Sequence, residues 1–308
     1  NNNISGNNIT ANNSHGIFLH LYSDRNTING NNVIANNDDG ISLFYSSLNT
    51  ISGNNITANN GYGIKLLQSS TNVLKNNSMS CNRYNFGIYG AFSSDIVNEV
   101  DISNTVDGKL VYYWIDKQNL TVPLDAGYVA LIECENITVQ NLNLTKNGQG
   151  IFLSCTTNTT ITNNNIVNNH YGIWFFASCS YNSVVGNNIA NNGDGVQVWA
   201  QSNCNSIVGN NITDNSSGIR FYWSSSNIIH HNNFVNNRDQ VFIEKSTNIW
   251  DDGAEGNYWS DYLERYPNAT EIDDSGVWNT PYVISDVYPD QDNYPIIPEF
   301  PSALVLLT

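Results

Sequence analysis

Short apolar pairs, separated by turns rich in amides and glycine, recur along most of the chain. The stretch Ile51-Ser52-Gly53-Asn54-Asn55-Ile56 is followed by Gly63-Ile64-Lys65-Leu66, where apolar Ile64 and Leu66 flank polar Lys65. That alternation is the period of a half-buried strand. No segment sustains a 3.6-residue period, so helices are not expected. The motif Gly-Asn-Asn-Ile/Val begins at Gly6, Gly30, Gly53, Gly186 and Gly209. A Gly-Ile/Val pair follows at Gly16, Gly40, Gly63, Gly87, Gly150, Gly172, Gly195 and Gly218, with spacings of 22 to 24 residues inside each block.

A repeat of this length with three short strands predicts an all-β, right-handed parallel β-helix. Asn and Gly tolerate the left-handed backbone of sharp corners. Stacked coils align such asparagines into amide ladders. About nine coils at roughly 4.8 Å each give a rod of about 45 Å. The pattern assigns residues 1–94 and 136–245 to coils. Residues 95–135 form an excursion carrying a hairpin at Asp107-Gly108. Residues 246–308 form an irregular acidic cap and a C-terminal stalk or tail. The apolar run 302–308 reads as either a tail strand or the start of a membrane anchor missing from this chain.

Composition narrows the function. The 308 residues carry 27 Asp and Glu against 11 Lys and Arg, a net charge of -16. Such a chain repels nucleic acid and anionic membranes. The five cysteines show no metal-type spacing. Cys134, Cys155, Cys179 and Cys204 share a corner region, as coil-to-coil disulfides or as small buried residues. Abundant Asn-x-Ser/Thr acceptors suit an extracellular glycoprotein. The ladder is expected to shield Asn8, Asn55 and Asn211, leaving Asn76, Asn119, Asn215 and Asn268 as glycosylation candidates.

More specific segments are Asn104-Thr105-Val106-Asp107-Gly108-Lys109-Leu110-Val111-Tyr112-Tyr113-Trp114, Ala126-Gly127-Tyr128-Val129-Ala130-Leu131 and Gly256-Asn257-Tyr258-Trp259-Ser260-Asp261-Tyr262. Thr280-Pro281-Tyr282 and Asp292-Asn293-Tyr294-Pro295 follow. With the repeats, these make the chain resemble the NosD-type β-helix proteins of archaea, within the carbohydrate-binding and sugar-hydrolase β-helices. The resemblance implies a surface protein, and Pro298-Glu299-Phe300-Pro301 looks like the stalk before an anchor. An Asp-Gly-rich stretch of the family reads Asp273-Asp274-Ser275-Gly276 here, a departure that weakens any calcium role.

Residue columns nominate the chemistry. Phe152, Trp174, Phe176, Trp199, Tyr222 and Trp223 form an expected outer aromatic stripe suited to stacking on sugar rings; its alternative is a packing surface. His170, Asp194, Asp214 and Arg220 are the best acid–base group, with both aspartates read as solvated turn residues. Calcium has weak candidates in Asp251, Asp252, Asp261, Asp273 and Asp274; no cofactor is otherwise expected. Copper needs clustered imidazoles or soft ligands, and the adjacent pair His230-His231 is expected to point to opposite faces. The leading expectation is a non-catalytic structural or adhesive surface protein that binds polysaccharide or copies of itself. A polysaccharide hydrolase or lyase, and a self-assembling subunit of a surface layer or filament, stand as alternatives.

Overall fold

The computed structural model describes residues 1–285 and 290–297. The chain winds into a parallel β-solenoid of about 11 turns with about 23 residues per coil. The expected stalk and the apolar run 302–308 lie outside the described residues.

One corner explains the repeat. A residue in the left-handed region turns the chain, and the asparagine after it points inward. Gly30 has φ +64, and Asn31 behind it is buried. The Oδ1 of Asn54, one coil on, accepts from both Asn31 N (2.9 Å) and Asn31 Nδ2 (3.0 Å). Asn31 Nδ2 also donates to the Ile4 carbonyl at 2.8 Å. Each rung thus satisfies a corner amide that no strand partner reaches. The second asparagine of each pair points outward, where Asn55 Nδ2 donates to Asn32 Oδ1 at 2.7 Å on the surface. The expected shielding of Asn8, Asn55 and Asn211 is therefore corrected: Asn7, Asn54 and Asn210 are the inward rungs. Asn215 is itself an inward rung and buried, which removes it as an accessible acceptor. Asn76, Asn119 and Asn268 are exposed.

The excursion does more than interrupt the stack. Thr105–Val106 and Lys109–Ile115 pair antiparallel through Asp107 and Gly108, whose φ values of 45 and 79 suit a primed hairpin turn. Both strands and Ala126–Ile132 join one 12-stranded sheet. That sheet starts on the first half's Gly-Asn-Asn strands, such as Asn32–Ile34, and ends on the second half's Gly-Ile strands, such as Tyr171–Phe175. The first half's Gly-Ile strands (Ile17–His20, Ile41–Phe44, Tyr62–Leu67 and Tyr84–Tyr89) form a separate four-stranded sheet. The Gly-Ile strands are thus two columns rather than one. In the second column the register holds, as in Ile173 with Val196; in the first it holds through Ile41 and Ile64, then slips by two residues, so that Phe86 pairs with Ile64 and Ile88 with Leu66.

This handover sets the two halves side by side. Gly148 N donates to Phe86 O at 2.8 Å. The Gln149 amide then mimics a further strand: its Nε2 donates to Ile88 O (2.8 Å) and its Oε1 accepts from Ile88 N (3.3 Å). Ala130, Ile132, Phe152, Trp174 and Phe176 project from the outer face of the long sheet into the first half's core. Ala126–Ile132 is buried on both faces.

Trp250 and Trp259 cover the last coil. Trp259 lies between Phe234 and Tyr282, with ring centres 4.3 and 4.2 Å away. Two carboxylates end two of the ladders. Asp290 Oδ2 accepts from Asn248 N and Trp250 Nε1, both at 3.0 Å. Asp292 Oδ2 accepts from Asn257 N (2.7 Å) and Trp259 Nε1 (2.9 Å). Burial raises the Asp292 carboxyl to about 6 despite these donors. Asn248 and Asn257 are the final rungs of two ladders, where a carboxylate takes the place of the next asparagine; the third ends at Asn237, whose Nδ2 donates to Gln240 Oε1 at 2.9 Å.

Candidate functional site

The halves enclose an open groove of about 1270 Å³ between matching corners. Asn37 and Asn60 line one side, and Asn168 and Asn191 the other. His170 reaches across. Its Nδ1 lies 2.7 Å from Tyr62 Oη and 3.1 Å from Tyr89 Oη, and its ring stacks on Tyr84 at 5.5 Å. Burial, then Lys65 and Arg83, lower the His170 pKa, so the ring is neutral at pH 7. Burial raises both tyrosine hydroxyls well above their ordinary value. Lys65 Nζ sits 5.0 Å from the Tyr62 ring centre, and Arg83 lies over Tyr84.

Three cations, Lys65, Arg83 and Lys146, and three carboxylates, Asp38, Asp39 and Asp214, line the groove. Their charges cancel. The net charge of -16 therefore comes from residues outside the groove. Neutral amides, cations and tyrosine faces together offer hydrogen bonds to hydroxyls, partners for anionic groups and flat apolar contact.

The expected sites fare differently. Phe152, Trp174 and Phe176 are buried, because the handover turns their sheet face into an internal packing surface. Each such ring removes roughly 4 to 6 kcal/mol worth of apolar area from water as an upper bound, so burial wins over exposure. Trp199 and Tyr222 are half-buried, and Trp223 is exposed with Lys245 Nζ 5.4 Å from its ring centre. The stripe is therefore not a continuous exposed row. Asp194 is not a solvated turn residue. It is buried in the Asp194–Trp199 strand, 3.3 Å from Arg220 Nε. Desolvation raises its pKa, and Arg220 opposes that rise. Asp214 is exposed at a corner and lines the groove with His170. The four residues thus divide into an Asp194–Arg220 pair and a groove pair. Cys134 and Cys179 are buried, Cys155 is half-buried and Cys204 exposed, all as free thiols.

Tyr62, Arg83, Tyr84 and Lys146 were not singled out from the sequence. A signal existed. The residue after the corner asparagine is Asn37 or Asn60 on early coils, and becomes Arg83 and His170 beside the junction.

His230 and His231 do not point apart. His231 occupies the left-handed corner position (φ 54) that Gly186 and Gly209 hold on earlier coils, which swings both rings to one side. Their Nδ1 atoms are 3.1 Å apart. One ligand atom from each histidine and one from Asp252 fall within 4.8 Å of one another. A second group, His15 with Asp38 and Asp39, offers one imidazole and two carboxylates. Of the calcium candidates, Asp251 holds Asn293 Nδ2 at 2.8 Å and Asp261 accepts from Tyr282 Oη at 3.0 Å. Asp273 and Asp274 occupy left-handed turn positions.

Coils, ladders and a carboxylate-terminated cap define a parallel β-helix protein. The chain belongs to the NosD family, whose model, described as "Periplasmic copper-binding protein (NosD)", matches residues 1–114 and 117–264. No curated protein matches. Among solved structures, the chain is similar to a mannuronan C-5 epimerase A-module of Azotobacter vinelandii: 15% identity, 74% of this chain and 59% of that one, TM-score 0.33. A Paenibacillus alginate lyase aligns at 12% identity over 76% of each chain, with TM-score 0.30. DFA-IIIase from Arthrobacter chlorophenolicus aligns at 13% over 76% of this chain and 55% of that one, with TM-score 0.36. The chain spans about 59% of the first of these structures. Copper favours imidazole nitrogen, and the His230–His231 pair is the donor set among the described residues that fits it. No helix among the described residues is long and apolar enough to cross a membrane.

Proposed function

We propose that this NosD-family solenoid acts outside the cytoplasm as a binding protein for an acidic polysaccharide, held in the groove between its two halves. One observation carries the reading: Lys65, Arg83 and Lys146, three of the 11 cations in a chain of net charge -16, converge on one groove with Tyr62 and Tyr84. Elsewhere the surface repels a polyanion. In the groove, charges balance and corner amides from both halves face sugar hydroxyls. A linear chain fits an open cleft without a deep pocket. The family's periplasmic description agrees with an extracytoplasmic site; a place on the cell surface is part of the proposal.

The test is binding of a polyuronate and of a neutral glucan by the parent, by Lys65→Ala/Arg83→Ala and by Trp199→Ala/Trp223→Ala. Each lost cation contact is worth about 1 kcal/mol or more, so the groove variant is expected to bind polyuronate at least about 10-fold more weakly. The aromatic variant is expected to bind like the parent. Binding lost only in the aromatic variant, equal affinity for the neutral polymer, or no binding by the parent would overturn the reading.

A further inference from the structure

We propose that His230, His231 and Asp252, supported by Glu255, form a site for a divalent transition ion that ties the C-terminal cap to the last coils. The family description names copper but no residues. The inference rests on this corner and is independent of the groove.

The histidines end the Ile228–His230 strand and open the next corner. In an extended strand neighbours diverge, but the left-handed His231 backbone brings the rings together, Nδ1 to Nδ1 at 3.1 Å. Two imidazole nitrogens about 2.0 Å from one ion, at an angle between square and tetrahedral, lie roughly 2.8 to 3.3 Å apart. The observed spacing therefore already matches adjacent ligands on one ion. Without an ion, the two Nδ1 atoms can bond only if one ring is protonated there. An ion takes both lone pairs and leaves each proton on Nε2. His231 Nε2, which has no hydrogen-bond partner among the described residues, then lies 3.1 Å from Glu255 Oε2, within reach of the carboxylate support that ligating histidines commonly have.

Asp252 is set in place by its own loop. Its Oδ1 accepts from Ala254 N at 2.9 Å and Glu255 N at 2.8 Å, which fixes the carboxylate in the loop. One of its oxygens lies within 4.8 Å of a ring nitrogen of each histidine. That loop belongs to the cap: Asp251 Oδ2 holds Asn293, and Gly256 N donates to Tyr294 O at 2.7 Å. The histidines belong to the coil. An ion bound here adds a link between two elements that already meet at this corner through His231 N and Gly256 O, 2.6 Å apart, and through the Asn232–Asn257 rung. Two imidazoles favour copper or zinc over calcium, which prefers an all-oxygen shell.

The experiment titrates the metal-free protein with Cu²⁺, Zn²⁺ and Ca²⁺, following calorimetry, Cu²⁺ electron paramagnetic resonance and proteolysis of the 251–256 loop. The decisive variant is His231→Gly, which installs the residue of the equivalent corners at Gly186 and Gly209 and keeps the turn. His15→Ala serves as the control for the other cluster. One ion per chain is expected, with nitrogen hyperfine coupling from two imidazoles and at least 10-fold slower loop cleavage. His231→Gly is expected to lose at least 100-fold in affinity while its metal-free melting matches the parent's. Unchanged binding by His231→Gly, loss in His15→Ala instead, calcium binding as tight as zinc, or loop cleavage indifferent to metal would overturn the proposal.

Discussion

The first and second halves of the solenoid share one corner yet cover their last coils in different ways. The first half ends at Tyr84–Tyr89, where the Gln149 side chain completes the strand edge and Phe152, Trp174 and Phe176 of its sister cover the core. The second half ends on Trp250 and Trp259, held by Asp290 and Asp292. One end is closed by a neighbouring sheet and the other by a dedicated cap. A solenoid's outer sheet face is therefore not automatically a ligand surface. Here that face is spent on the junction, and the junction in turn builds the groove.

The largest expected effect separates the two closures. Trp259→Ala removes the ring between Phe234 and Tyr282 and should cost about 3 to 5 kcal/mol. Solenoid coils couple mainly to their neighbours, so amide exchange should quicken in the Asn211–Thr213 and Asn233–Val235 strands and stay unchanged in Ile41–Phe44. Equal loosening of both halves would mean that they form one cooperative unit and would break the comparison.

Next comes the junction. Trp174→Ala should lower stability by about 3 kcal/mol and loosen strands on both sides of the joint, whereas Trp223→Ala should stay within about 0.5 kcal/mol. Thermal melting of the two variants checks this. Similar small losses for both would mean that Trp174 does not close the first half.

The smallest contrast concerns the ladders that both halves share. Asn54→Ala strands Asn31 N and Nδ2 without their acceptor and should cost about 1 to 3 kcal/mol. Asn55→Ala loses only a surface rung, with a cost below about 0.5 kcal/mol. Urea unfolding of both variants measures the difference, and equal costs would contradict the inward assignment of the first asparagine.

The coil itself was legible because Gly-Asn-Asn-Ile states its physics locally: a left-handed corner, an inward amide, an outward amide and an inward apolar residue. Which asparagine faces inward is not legible locally, since two adjacent amides look alike until the corner's φ is known. The handover was harder to see. Its trace is Ala126–Ile132, apolar at every position rather than at alternate ones, the mark of a strand covered on both faces. Taken that way, the run signals that the neighbouring Phe152 and Trp174 face another layer. The groove drew on residues far apart in sequence, Tyr62 and His170 above all, and no periodicity within one block relates them. His230-His231 departs from the expectation for a local reason: strand alternation does not carry across a corner.

Hydrogen exchange with and without bound polyuronate tests most directly whether both halves build one binding site, as proposed. Slower exchange is expected at the corners around 37–39, 60–65 and 83–84 in the first half together with 168–170 and 191–193 in the second. Protection confined to one half, or centred on 199–223, would contradict it.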